Sequence, residues 1–544
     1  MRTFPSRLFC FVTLLSALSW QGCSKDASAP SSSPSPSCPD PGCQGEDPGD
    51  WRDTGDLAAC NYEGNPCDTL HPVTLTACKR DSLSRFRGDG VYLVQDRLNG
   101  NFTYKVLRVL PTERVVPPSS YQYNINYHFQ DLSNGNFHFA DNEWIPTHSY
   151  SNSSQTILEG CEAPSPDELR GCRFNCGNGV LYSMATFRAV RLSQCASASN
   201  LSLEAEYPRT PPDPPNEPLQ IYAKAHLFES RRPYSPLFDT SQSLLVHDVT
   251  DRSKPHLQAA LTLLQGKFAY TSLGVLGDAL YVTLFDGQGQ LLIFDIHDPS
   301  QPTLRKSLPV PGAYSRQFVV GNTLALSPYN LGYGPPPVGR LYDVSDPFDP
   351  QLQAEFPLPG GTFFFPFEGR LYLPQKGAGL QIAEVRDGAL QELGRYSYPL
   401  ATSAVVAVGR FGDRVIAFEG GRGWSAHLRI LDVTDPTHVY RVAEYRVGEG
   451  VSIAEVTLLG TRLYVAYHQR GVRVLDVSDP AAPREIGHYD TYPASPLRCE
   501  GSSWEGSDMG GNSFYEGATR VLAPGDGYLY VEDSLRRLLI LREL

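Results

Sequence analysis

Six acidic pairs recur along the second half of the chain and are the first residues to test for chemistry. They are Asp248 and Asp251 in "LLVHDVTD", Asp295 and Asp298 in "LLIFDIHDP", Asp343 and Asp346 in "RLYDVSDP", Glu384 and Asp387 in "LQIAEVRD", Asp432 and Asp435 in "LRILDVTDP", and Asp476 and Asp479 in "VRVLDVSDP". Carboxylates are hard oxygen ligands, so a ring of them would suit calcium. The same residues suit a plainer task, because an Asp opening a type I turn accepts backbone N–H bonds and a following proline presets φ. Two departures favour the turn. Asp251 is followed by Arg252 instead of proline, and in the last copy, "LLILREL", Arg542 takes the first acidic position. A metal ring should not lose members so freely, and EF-hand spacing is absent, so we expect corner residues, with calcium as the cation to test otherwise.

Other catalytic signals are poor. The chain has no G-x-S-x-G, no H-E-x-x-H and no P-loop, and its 12 histidines are scattered. If the protein were an enzyme, Glu500, Glu505 and Asp508 would be the first carboxylates to test. Cys172 and Cys176 have C-x₃-C spacing without a second close pair, which argues for disulfides over zinc. Apart from Cys10 and Cys23 the cysteines are Cys38, Cys43, Cys60, Cys67, Cys78, Cys161, Cys172, Cys176, Cys195 and Cys499, an even set that reads as disulfides of an exported chain, with the pairing open. "RGD" at Arg87–Asp89 reads as a chance turn, and Asn101, Asn152 and Asn200 open glycosylation sequons.

The elements that must position these residues fall into four segments. Residues 1–22 carry Arg2 and Arg7, then the apolar run Leu8–Leu18, too short to span a membrane and readable as a signal peptide. Removing those two arginines takes the formal charge from −13 to −15, which makes nucleic acid an unexpected partner. Residues 23–57 form a Pro/Ser/Gly-rich linker that cannot bury a core. Residues 58–217 hold most of the cysteines and two hairpin signals, Asn99-Gly100 and Asn134-Gly135, so a small disulfide-containing β-rich domain is expected. From 218 to 544 the chain repeats. Successive first acidic positions lie 47, 48, 41, 48 and 44 residues apart, and each motif from the second onward follows a glycine-containing turn and a strand. Such a period with several short strands predicts an all-β fold ending in a β-propeller of seven blades, with six or eight left open.

Two resemblances add to this. Cys23 directly after Gly22 resembles the lipobox of bacterial lipoproteins, although Trp20 stands where that family usually has leucine; cleavage by an ordinary signal peptidase is the alternative. Lipidation would fall on Cys23, and Ser24 in place of Asp would imply the outer membrane or cell surface. The repeats, above all "DVSDP" at Asp343–Pro347 and Asp476–Pro480, resemble the LVIVD-repeat family of bacterial extracytoplasmic β-propellers; Glu384 and Asp387-Gly388 depart from the pattern. The family implies a fold and an exported location, with no settled activity.

Within an antiparallel blade of strands a to d, the a–b and c–d turns emerge on one face and the b–c and d–a connections on the other. The glycine and Asp-Pro turns are short and uniform, so their face is scaffold; the opposite, irregular face is where a ligand is expected. Its loops carry Arg231, Tyr234, Tyr329, Tyr333, Arg422, Trp424, Trp504 and Tyr515, residue types that anchor interfaces, though loop tyrosines also serve as packing lids. The expectation is a membrane-anchored binding or scaffold module for an envelope protein or glycan, without a cofactor. The alternative is an exported hydrolase or lyase working in the propeller funnel.

Overall fold

A computed structural model describes residues 61–67, 73–75, 79–86, 90–98, 101–109, 128–132, 136–147, 150–177, 179–191, 197–207, 219–231, 241–265, 270–329, 337–358, 363–399, 401–423, 426–447, 452–468, 470–491, 517–534 and 536–544. The leader, Cys23 and the 23–57 linker lie outside the described residues, as do Cys38, Cys43, Cys60, Cys78, Cys195 and Cys499. Apart from a 3-10 turn at Arg80–Arg85, the described elements are β-strands, and none of them is a helix long and apolar enough to cross a membrane.

The cysteine-containing part is one antiparallel sheet of seven strands. Their spatial order is Asn101–Val109, Gly90–Leu98, Val180–Arg191, Glu168–Gly177, Tyr150–Ser165, Asn136–Thr147 and His128–Leu132. Both expected hairpins form, with Leu98 paired to Asn101 and Leu132 to Asn136. A short ribbon, Tyr62–Glu63 with Thr74–Leu75, packs through Val73 and Leu75 against Ile157, Phe174 and the buried cysteines. Cys67 bonds Cys176 across 109 residues of sequence, and Cys161 and Cys172 are also disulfide-bonded. Closing a loop of that length removes unfolded-chain entropy on the order of 4–5 kcal/mol in the loop-closure model.

Seven further sheets make the propeller. Blade one is Leu219–Ala223, His226–Arg231, Gln242–Asp248 and His256–Leu264. Blade two is Tyr270–Leu276, Ala279–Phe285, Gln290–Asp295 and Thr303–Pro309, and blade three Tyr314–Val320, Thr323–Pro328, Val338–Asp343 and Gln351–Pro357. Blade four is Phe365–Phe367, Arg370–Pro374, Leu380–Arg386 and Ala389–Tyr396, and blade five Ser403–Phe411, Arg414–Gly421, Leu428–Asp432 and Tyr440–Tyr445. Blade six is Glu455–Leu459, Arg462–Ala466, Val472–Asp476 and Arg484–Tyr489. First strands of neighbouring blades touch, which puts strand a at the axis, while strands d such as Thr303–Pro309 are largely exposed. Strands b and c are buried on both faces, so Leu291, Leu292, Ile293 and Phe294 are all buried in succession. Each side chain of that size contributes about 1.5–3 kcal/mol by leaving water.

Blade seven corrects the expected boundary at 217/218. Its first three strands are Ala518–Leu522, Tyr528–Asp533 and Arg537–Glu543, but its outer strand is Leu201–Tyr207, from the segment read as part of the cysteine-containing domain. Just before it, Ala198–Ser199 adds a fifth strand to blade six. Between the two, Asn200 takes a left-handed backbone (φ 54°) and its side-chain amide donates to the carbonyl of Ile486 at 2.7 Å. Asn tolerates that conformation better than most residues. One kink thus lets a single stretch clasp two blades. Blades seven and one then pack together through Leu227, Val249, Tyr530, Leu538 and Ile540, which closes the ring.

Candidate functional site

The repeated aspartates resolve into corners. Asp295 Oδ1 accepts the backbone N–H of His297 at 2.8 Å, and Asp298 Oδ1 accepts the N–H and hydroxyl of Ser300 at 3.0 and 2.6 Å. The backbone N–H of Gln301 donates to the Asp298 carbonyl at 3.1 Å, completing the expected turn. Asp343, Asp432 and Asp476 each accept the N–H two residues on, as do Asp346, Asp435 and Asp479. Asp248 and Asp251 do the same without proline, on Thr250 and Ser253. The second oxygen of the first aspartate turns to strand d, where Arg305 reaches Asp295 at 2.6 Å and Arg484 pairs with Asp476. Among the described residues no group of three or more metal-ligating side chains comes together. The corner also seats neighbouring blades: a Cβ on Gly394, in the outer strand of blade four, would lie 1.5 Å from the carbonyl oxygen of Pro436 in the corner of blade five.

These bonds favour the carboxylate form. Asp476 is held at a pKa of about 2, below the ordinary 3.8, first by the backbone N–H of Ser478, then by its hydroxyl and Arg484. A depressed pKa stabilises the folded state above the unfolded value and loses that contribution as pH falls through the folded one. Carbon-13 NMR of the Asp476 side chain is expected to give a midpoint near pH 2; a midpoint at 3.8 would mean that the corner bonds are not made.

The a–b turns of blades one to six, on the same face, are two-residue hairpins. In blades two, three, five and six only the first turn residue has positive φ, and it is Gly277, Gly321, Gly412 and Gly460 in turn, the pattern of a type II′ turn. Blade one instead turns on Lys224 and Ala225, both with positive φ, a costly choice for residues with a Cβ. Lys224 is held there by donating to the carbonyls of Ile296 and His297 and by pairing with Asp278 in the next blade. A cleft of about 640 Å³ opens on this face between blades six and seven; Arg462 and Tyr464, which line it, both bond Glu543.

Buried arginines recur three residues before three of the corners. Arg340 bonds Glu355 and the Pro311 carbonyl, each at 2.7 Å; Arg429 lies 3.4 Å over the Tyr398 ring beside Glu419; Arg473 bonds Asp490 at 2.7 Å. All three pairs are structural.

The irregular face carries a different set. Tyr329, expected as a binding residue, is exposed and stacks on Tyr270 with centroids 5.2 Å apart. Arg422 is engaged elsewhere, donating to the Ala454 carbonyl at 3.1 Å and tying blade five to blade six. Arg231 ends strand b of blade one, but its side chain lies outside the described residues. Tyr234, Tyr333, Trp424, Trp504 and Tyr515 also lie outside them, with Glu500, Glu505 and Asp508.

At the axis the structure adds residues that sequence reasoning missed. Arg316 of blade three lies 3.6 Å from Glu455 of blade six, and Glu455 also meets Arg520 of blade seven at 3.3 Å. Blades three and six stand across the axis from each other in a ring of seven, so this contact spans the channel. Arg520 reaches Glu532 as well, at 3.7 Å, and the Arg316 guanidinium rests 4.7 Å from the centroid of Phe363. Each charge sits at or near the start of strand a, hence at the mouth on the irregular face. The available signal was a charge early in an innermost strand, where blade five has Ser403-Ala-Val.

Seven radial sheets with a uniform face, an irregular face and an axial mouth define a β-propeller. The LVIVD repeat model matches residues 265–309 and 453–491, which take in blades two and six, so the propeller carries LVIVD repeats. A search of curated proteins finds no match. Among solved structures the chain is similar to one from the mitotic checkpoint complex (11% identity, 64% of this chain and 91% of that one, TM-score 0.41). It is also similar to Sqt1 of Chaetomium thermophilum bound to the N-terminus of a ribosomal protein (12%, 71% and 93%, 0.39) and to a protein from Lactobacillus plantarum (13%, 58% and 89%, 0.39).

Proposed function

We propose that the protein is an exported binding module, anchored to a membrane surface through a lipidated Cys23, which presents the irregular face of its propeller to a protein or glycan of the cell envelope. The observation that carries this is the contrast between the two faces. One is built of near-identical hairpins and corners whose carboxylates are spent on local bonds. The other bears the unequal connections, the Tyr270–Tyr329 stack with Tyr329 exposed, and the charged channel mouth. Binding commonly sits on varied loops held by a constant frame. In the alternative, a hydrolase or lyase, the funnel would need an available carboxylate, whereas Glu455 already serves two guanidiniums.

The test is affinity capture from a solubilised envelope with the full-length protein. Replacing Tyr329, Trp424 and Trp504 together by Ala is expected to abolish capture of the partner with the melting temperature unchanged. Unaltered capture counts against the reading, and turnover of an envelope polymer, assayed with and without EDTA, would replace it by the enzymatic one.

A further inference from the structure

We propose that the channel mouth on the irregular face binds the carboxylate of an acidic sugar residue, with Arg316 as the principal cation and the Tyr270–Tyr329 pair as the stacking platform. This rests on that face being the ligand side and narrows the ligand to a uronate-bearing glycan.

Arg316 carries the argument. Its guanidinium offers five N–H donors in a planar fork. Among the described residues its side chain makes no hydrogen bond, and its carboxylate neighbour Glu455 lies at 3.6 Å, beyond the short distances of a charge-assisted bond. That neighbour is shared with Arg520. The Arg316 side chain is 27% exposed, so water reaches only part of it. Phe363 holds the guanidinium by one face and leaves the in-plane edge, where the donors are, to be used. A partly desolvated cation with unspent donors is costly in the free protein, and a bidentate carboxylate would recover that cost.

The neighbouring aromatic pair favours a sugar over a peptide. Tyr329 is 45% exposed, and its N–H bonds the carbonyl of Ala313, three residues before Arg316, so Tyr329 and the cation belong to one blade, with Tyr270 supplied by the blade before it. A flat exposed ring offers an apolar face to the C–H side of a pyranose.

Calorimetry with the full-length protein tests this, using trigalacturonate against the neutral galactose trimer. Trigalacturonate is expected to bind at least about tenfold more tightly than the neutral trimer, and Arg316→Gln to remove that advantage. Arg316→Lys should keep only part of it, since a lysine retains the charge without the fork. Tyr329→Ala should weaken both sugars. The lysine variant decides the matter if the glutamine variant fails to fold. Equal binding of the two trimers, or full affinity in both Arg316 variants, overturns the carboxylate assignment while leaving the irregular face as the ligand side. Absence of sugar binding alongside capture of an envelope protein overturns it equally and leaves the binding module standing.

Discussion

A chain beginning at Pro208 is expected to lose the single cooperative thermal transition of the full-length protein, whereas one beginning at Ser197 keeps it for the propeller. The shorter chain lacks Leu201–Tyr207, whose pairing with Arg537–Glu543 completes blade seven. It leaves strand c of that blade as an open edge and takes Leu201 out of the core shared by blades six and seven, about 2 kcal/mol for that side chain alone. It also strips Tyr207 from against His247 and Arg537 at the joint with blade one. Adding residues 197–208 as a peptide should restore part of the transition, because an extended segment can add to a free strand edge. Calorimetric scans of the two truncations decide it: the same melting behaviour for both would mean that the clasp is dispensable.

Arg537→Ala is expected to cost about 3–5 kcal/mol, read from urea unfolding. Arg537 Nη2 donates to both oxygens of Glu229 at 3.1 and 3.2 Å, and His247 Nε2 lies 3.0 Å from the second. All three are buried, across the seam between blades seven and one. Burial pushes the Glu229 carboxyl up, but the His247 bond and the Arg537 charge outweigh it, so its pKa falls below the ordinary 4.5. The pair therefore stabilises at neutral pH, and the contribution is lost as pH drops below 4.5 through the folded pKa. Removing Arg537 alone strands a buried charge. The double variant Arg537→Met with Glu229→Gln should be milder than Arg537→Ala, and a double variant as damaged as the single one would show that packing, not charge, is at stake.

Whatever depends on neighbours in sequence was legible. Asp298 with Ser300, or Asp435 with Thr437, spells a turn within three residues, and the even spacing of such corners gave the number of blades. The departures at Arg252 and Arg542 pointed to turns because a turn tolerates them. Contacts made at long range left no such trace. The stretch "SASNLSLEAEY" has no repeat motif, and its partner strand lies more than 300 residues on, so its place in blade seven could not be read. Arg316, Glu455 and Arg520 sit in three different repeats and meet only because a ring of seven brings them to one axis. The exposure of Tyr329 was legible because an aromatic in an irregular loop is a local feature.

The clasp also sets an order of events. Its strand is made early, and the strand it pairs with, Arg537–Glu543, follows more than 300 residues later. Blades one to five can each assemble from contiguous chain as it emerges, but the circle cannot shut until Arg537–Glu543 supplies the missing half of the joint. Until then the strand Leu201–Tyr207 is an unpaired edge awaiting a distant mate, the slow and aggregation-exposed kind of contact. A stop codon before Arg537 would thus spoil a ring whose other blades are made, so the synthesis of that strand is proofread by the ring's own closure.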